Sequence, residues 1–595
     1  MASPVTARTA ARRPLDTARP LHALRCETGG PEALTRVVSD HLRRLGATVR
    51  DDGPGDIVLG GAGFAPATAR TGWGAAGSGI EDEVTAQAVT GVMAVHGRRH
   101  GTPRGLGVDY LATATGVLTV QGLLAGLVGQ ARGGPPAGVR TTMADRAGLL
   151  AVSQYLAAAG ADEPEAVEPA PGGPPFTSAD GVLFELETLD PGAWADFWRP
   201  LEAPADAVRA GWRPFQFRYA TACAPFPAAL HEVTRRHAWA RIREAAALSG
   251  AEVCRLRTLA ERAGEDDGAD PWALRSLGPG RLRSAAAATA DRPLAGLTVL
   301  EAGRRIQAPL AAHLLGLLGA RVIRIEPPGG DPLRGMPPAC DGISARWLAL
   351  NRGKEAVEFD IKSPADRVRL RDLVAEADVF VHNWAPGKAA ALELDTGHLA
   401  AVNPSLVYAY TGGWADRITD APMGTDFMAQ ARTGVGEAVH PAGEAPVPSL
   451  MTLLDVLGGL HGTEAILAGL LLRERSGHGV RVDSSLLGAA DTLLAPALRQ
   501  SASGADPRRP AGFRHPLRTS DGWIAPGDDS APAAAAYDVS GMCTEDALDR
   551  LRGHGLTATA VTTDLSALRH DPRLSGPIGR DPHGAPAVPD PWSLA

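Results

Sequence analysis

Residues 429–435 (Ala-Gln-Ala-Arg-Thr-Gly-Val) and 86–92 (Ala-Gln-Ala-Val-Thr-Gly-Val) repeat one phrase 343 positions apart. Twenty-five residues beyond Gln430 stands Asp455; the same step from Gln87 reaches Ala112. Both copies then meet a glycine four residues on (Gly459, Gly116) and matching apolar segments, Ile466-Leu-Ala-Gly-Leu470 and Leu123-Leu-Ala-Gly-Leu127. The chain must therefore fold as two related units. One carries a carboxylate where the other carries a methyl group, so one half reads as chemically competent and the other as retired.

The second unit opens with a β-α-β rhythm. Leu297–Ala302 reads as a strand, a helix runs from about Pro309 to Leu318, and Ala320–Glu326 is the next strand. A strand ending at 358–360, a helix over 364–377 and strands at 378–382 and 407–410 continue it. Such alternation predicts an α/β fold: a Rossmann-like open parallel sheet wrapped by helices. Leu42–Val49 echoes Leu315–Val322 at an offset of 273, against 343 further on. The first copy therefore lacks about 70 residues (343 minus 273) between Arg50 and Glu83.

Domain limits follow from composition. Residues 1–20 read as a disordered tail, 21–160 as the degenerate large domain and 178–262 as a small α+β domain. Gly160–Ser178 and 263–292 read as linkers, rich in Pro, Gly and acidic residues. Residues 293–500 form the competent large domain, and 501–595 a shortened small domain opening at Thr519–Ile524.

Several functions are disfavoured. The net charge of −8 is mild and the basic residues are scattered, so no nucleic-acid footprint exists. Five distant cysteines suggest reduced thiols; with no secretory leader and no apolar run near ~20 residues, a cytoplasmic protein off the membrane is expected. The turn Gly303-Arg-Arg-Ile-Gln-Ala-Pro309 has one glycine where a dinucleotide fingerprint needs three, although Glu326 stands where a ribose-binding acid would. His96 and His100 read as solvated loop residues, and no metal motif is present.

Asp455 stands out. It precedes a helix over 456–473, where the macrodipole would stabilise a carboxylate by about 0.3–1 kcal/mol and keep it ionised for nucleophilic attack. The plain alternative is an N-cap. Gly458, Gly459 and Gly462 weaken this helix by up to ~1 kcal/mol each, a cost tolerated where something approaches the backbone closely.

Residues 294–490 resemble a family III CoA-transferase (CaiB/BaiF, formyl-CoA transferase-like). The resemblance is carried by Gln307-Ala-Pro309, Gly319–Arg334, Asn351-Arg-Gly-Lys354, Phe359-Asp-Ile-Lys362, Ala377–Gly387, Asn403–Tyr408, Asp426–Ala431 and Arg475–Asp483. A weaker likeness extends through 564 and 571–574, and a degenerate second instance over much of 20–260. The resemblance implies that Asp455 is the nucleophile and that Gln307 lies beside it. It also implies that Lys362 and Asn383 contact CoA, with Arg334 as a phosphate partner. Acyl-CoA and a carboxylic acid would be substrates, with no tightly bound cofactor. Two family positions differ, Ala391 for an arginine and Met423 for a lysine, and no Gly-rich flap occurs near 500–515.

Family members are interlocked dimers, so the resemblance implies a pseudo-dimer within one chain, monomeric in solution; a homodimer of full chains is the other reading. The N-terminal copy would then be a scaffold completing the site, with Asp109 structural. Two alternatives stay open. A racemase of the superfamily carries a histidine where Thr425 stands and needs two proton-transferring groups, and a CoA-binding pseudoenzyme needs no turnover.

Overall fold

The computed structural model describes residues 19–51, 53, 55–165, 169–280 and 288–594, so most of the expected N-terminal tail (1–18) and positions 281–287 of the second linker lie outside the described residues. The first half opens with β1 (Arg25–Glu27), α1 (Glu32–Arg44) and β2 (Thr48–Arg50), then β3 (Ile57–Gly61) and β4 (Phe64–Gly72). There follow α2 (Glu83–Val89), α3 (Tyr110–Ala131) and β5 (Arg140–Met143). A small antiparallel sheet, β6 (Phe176–Thr177), β7 (Leu183–Glu187) and β8 (Glu252–Arg255), packs with α4 (Ala205–Thr221); β9 (Trp272–Pro279) closes the half.

The second half runs β10 (Thr298–Glu301), α5 (Gln307–Leu317), β11 (Arg321–Glu326), β12 (Glu355–Glu358), β13 (Val379–His382) and β14 (Val407–Gly412). Next come α6 (Asp426–Thr433), α7 (Leu453–Ser476) and β15 (His478–Ser485). Its small sheet is β16 (Leu517–Arg518), β17 (Trp523–Pro526) and β18 (Ala558–Ala560), and β19 (Trp592–Leu594) ends the chain.

The large sheet of the second half has the order β12-β11-β10-β13-β14-β15-β9, parallel except for β9. That of the first half is β2-β1-β3-β4-β5-β19. Arg25 pairs with Thr48 as Thr298 pairs with Arg321, the same parallel register 273 residues apart. Where the second half inserts two β-α units, the first runs a β3–β4 hairpin whose β3 is antiparallel to β1, so its sheet is mixed rather than parallel. The missing segment is thus bridged by one hairpin.

Residues 263–292 are not merely a linker. They contain β9, which leaves the first half and joins the second half's sheet against β15. In return, β19 joins the first half's sheet against β5. The two exchanged strands begin alike, Asp270-Pro-Trp-Ala-Leu274 and Asp590-Pro-Trp-Ser-Leu594. Both tryptophans are buried, and the Trp592 indole N–H donates to the Leu118 carbonyl at 2.7 Å.

Between the sheets, α3 and α7 pack against each other. The Tyr110 hydroxyl donates to the Leu453 carbonyl (3.0 Å) and the Gln121 amide to that of Leu460 (2.8 Å). Both helices are long and apolar enough to cross a membrane by length and composition, contrary to the sequence reading. Here they are almost wholly buried and make the shared core. Each small sheet covers the other half: β7 and β8 lie on α6, while β17 and β18 lie on α2. The Arg257 N–H donates to Ala431 (2.8 Å) and the Thr562 N–H to Ala88 (3.0 Å), acceptors that are repeat equivalents.

Candidate active site

Asp455 lies inside α7, whose N-cap position is held by Thr452, so the N-cap alternative is replaced by a first-turn position. Thr452 has φ 55°, a left-handed conformation costly for a β-branched residue and characteristic of sites where the surrounding structure enforces it. The cap is supplied instead by Asp426, at the start of α6. Its Oδ2 accepts the Leu454 and Asp455 N–H groups at 2.7 and 2.8 Å. Gln430, one turn on, donates to Asp426 Oδ1 and to the Ser449 carbonyl (2.8 Å), and accepts the Ser449 N–H (2.8 Å).

The first half builds the same device residue for residue. Glu83 accepts the N–H groups of Leu111 (2.9 Å) and Ala112 (2.8 Å); Gln87 donates to Glu83 and accepts the Leu106 N–H, both at 2.8 Å. What differs is the residue presented, Ala112 against Asp455, and the charge nearby. Buried Arg514 lies beside Glu83 and pairs with Asp109 (2.8 Å) and Asp528 (2.6 Å), which gives Asp109, read from the sequence as structural, an ion-pair partner.

Asp455 is not kept ionised by the helix terminus. Burial first, and the Asp426 carboxylate second, push it up to about 8; the Arg305 guanidinium pulls the other way, and Glu187 adds to the rise. The macrodipole's tenths of a kcal/mol are outweighed because Asp426 already consumes the N–H groups that would have met Asp455.

The glycines of α7 receive α5. A Cβ at Gly458 would stand 2.7 Å from the Gln307 amide nitrogen, and one at Gly459 would stand 2.9 Å from the Gln307 carbonyl and 3.0 Å from Leu310. Gln307, buried, also donates to the Gly412 carbonyl at the end of β14 (3.3 Å). The close approach read from the glycines is thus made by Gln307 itself, one helical turn from Asp455. Gly459→Ala is expected to lower thermal stability by about 1–3 kcal/mol through overlap with α5, although alanine favours a helix by up to ~1 kcal/mol. A melting temperature above wild type would show that the notch is not needed.

Other site residues cluster at the carboxyl ends of the parallel strands, where open α/β sheets bind ligands. The strand order reverses between β10 and β13. There the Asn383 side chain brackets Arg304, accepting its N–H and donating to its carbonyl, both at 2.9 Å. Lys362 is exposed after β12. Lys388, half-buried after β13, is held down by burial and by the charges of Arg304 and Lys362. Arg334, by contrast, is engaged: it pairs with Glu326 (2.9 Å) and lies 3.8 Å from the Trp347 ring centroid. Buried Glu326 also serves Arg324 (3.3 Å), so it is a structural ion-pair hub.

Sequence reasoning did not single out Asp426, Arg304, Arg305, Lys388 or the N-terminal half's Tyr219 and Glu187. The Arg305 guanidinium lies 5.2 Å from the Tyr219 ring centroid, and the Thr425 hydroxyl donates to Glu187 (2.8 Å). The site is thus assembled from both halves. The repeat held one signal for Asp426, since it and Glu83 are acidic at equivalent positions. His96 is also corrected. It is buried, bonded to the Ser449 hydroxyl (2.9 Å), with His100 and His440 rings at 6.4 and 5.6 Å, because the other half covers that loop. Among the described residues no His, Cys, Asp or Glu group is arranged to hold a metal.

Comparison with known proteins follows this division. The family model described as CoA-transferase family III matches residues 68–270 and 294–539. Succinyl-CoA:glutarate CoA-transferase of Mus musculus is 34% identical over 209 residues, 34% of this chain and 47% of that protein. Acetyl-CoA:oxalate CoA-transferase of Acetobacter aceti is 34% identical over 229 residues, 38% of this chain and 58% of that protein. The chain spans about half the length of the curated relatives it matches. A CaiB/BaiF family protein from Brucella suis, known by its crystal structure, is 26% identical with a TM-score of 0.44, covering 50% of this chain and 95% of that one.

Proposed function

The chain belongs to CoA-transferase family III, and on that premise we propose that it moves CoA from an acyl-CoA thioester to a carboxylic acid, with Asp455 as the nucleophile. The Asp455 carboxylate attacks the thioester carbonyl; the C–S bond breaks and CoA leaves as thiolate, giving an aspartyl-acyl anhydride. The thiolate then attacks the Asp455 carbonyl of that anhydride, releasing the first acid and leaving an aspartyl-CoA thioester. A second carboxylate attacks the aspartyl-CoA carbonyl and the C–S bond breaks to give a second anhydride; the released thiolate then attacks the new acyl carbonyl, forming the product thioester and freeing Asp455. One thioester is consumed for each one formed, so the net exchange is nearly isoergonic and needs no ATP.

The observation that carries the reading is the duplicated cap: one scaffold, built twice, presents a carboxylate only at Asp455. Incubation with a panel of acyl-CoAs and labelled CoA, followed by hydroxylamine trapping, should modify one peptide, that containing Asp455. Tight CoA binding with no exchange and no adduct across the panel would favour a pseudoenzyme. Thr425 has no proton that titrates near neutrality, and its hydroxyl is committed to Glu187, so no observation favours a racemase.

The CoA phosphates would lie against Arg304, Lys362 and Lys388. Lys362→Glu and Lys388→Glu are each expected to weaken CoA about tenfold, equivalent to ~1.4 kcal/mol, with the loss shrinking at high salt. Calorimetry should find one site per chain. Two equal sites, or indifference to both reversals, would move CoA elsewhere.

A further inference from the structure

We propose that Glu187, a residue of the N-terminal half, is a positioning residue that fixes the turn carrying Asp426, the cap of Asp455, and whose charge helps place the pH range over which Asp455 attacks. The proposal rests on the reading of Asp455 as nucleophile. Glu187 ends β7 and is buried. Its Oε2 accepts the Thr425 hydroxyl at 2.8 Å, and the next residue, Asp426, holds the Asp455 N–H. Its cross-strand partner Glu252 accepts the Met423 N–H, so two glutamates of the first half grip residues 423 and 425 of the second.

The charges facing this turn can be named element by element. From β7 come Glu187 and Glu185, and from α4 comes Arg218, which pairs with Glu187 at 3.0 Å and lies 4.0 Å from Glu185. The Arg218 guanidinium sits 4.7 Å from the ring centroid of Phe427, beside Asp426. From β8 comes Glu252, from α6 Asp426, from α7 Asp455, from α3 the neutral Tyr110, and from the turn before α5 Arg305. In the retired copy buried Arg514, itself paired with Asp109 and Asp528, lies beside Glu83. The cap carboxylate Glu83 thus faces a guanidinium directly, whereas Asp426 faces the carboxylates of Asp455 and Glu187.

The consequence is chemical. Burial, repulsion from Asp426 and, to a lesser degree, repulsion from Glu187 disfavour ionised Asp455 relative to its neutral acyl and thioester forms. Glu187 therefore raises the covalent fraction while moving attack to higher pH. Glu187→Gln keeps an acceptor for Thr425 and leaves Glu185 to face Arg218.

The test uses the full chain with carboxyl-13C aspartate, the Asp455 signal being assigned by its loss in Asp455→Asn. Glu187→Gln should move the Asp455 midpoint and the acid limb of the exchange rate down together, with less hydroxylamine-trapped protein. Thr425→Val, which cuts the link but keeps the charge, should lower kcat/KM and leave the midpoint in place. An unmoved midpoint in Glu187→Gln would make Glu187 a mere strut, and an equal shift in Thr425→Val would deny that its charge acts. A wild type without exchange at any pH would defeat the transferase reading, a failure distinct from an unmoved midpoint, which NMR reads without turnover.

Discussion

Asp455→Asn should reduce CoA exchange by more than about 10^4-fold, as expected when an acting nucleophile is removed, and at the same time make the protein more stable. The second effect follows from the raised ionisation of Asp455, about 8 against 3.8 for a free side chain. Between those values the folded state holds a proton that the unfolded state releases, so wild-type stability falls as pH rises through this window. Asparagine carries no such penalty. The melting temperatures of wild type and variant should be close at pH 4, diverge towards pH 8 and then run parallel. Scanning calorimetry across that range checks it; a variant less stable than wild type at pH 8 would mean that Asp455 is a structural anchor. Removing a strained functional group commonly trades activity for stability in this way.

Dividing the chain should expose the strand exchange. Fragments 1–280 and 288–595 retain β9 and β19, and co-expression should return a soluble, active complex. Cutting instead at the compositional boundaries, 1–262 with 290–595, discards β9. That uncovers the edge of β15, removes buried Trp272 and should give aggregated or inactive protein. The second fragment alone should be insoluble, because α7 would present to water the face now packed on α3. Equal rescue by both pairs, read by gel filtration and CoA exchange, would show that β9 is dispensable. We expect the intact chain to sediment as a monomer, since the paired halves supply both sides of the site.

Much of this architecture is legible in the chain because duplication writes it twice. The offsets of 273 and 343 locate the lost segment, which the structure spans with the β3–β4 hairpin. The aligned Asp455 and Ala112 do fall at equivalent points of α7 and α3. Gln307 could be placed near Asp455 by resemblance, and the glycines at 458 and 459 already implied a close neighbour. The exchanged strands also left a trace, Asp-Pro-Trp at 270 and 590, hidden within segments read as a linker and as the end of the shortened small domain.

What the chain by itself determined is therefore local and periodic: two units, their β-α rhythm, and one surviving carboxylate. Tertiary structure alone decided the partners. Asp426 and Asp455 meet because α6 is docked across the N-terminus of α7, and Glu187 joins them because the first half's small sheet lies on α6. The charge state of Asp455 was decided there too. Ionisation depends on solvent exclusion and on like charges brought together from residues 187, 426 and 455, and no helix-end rule contains those distances.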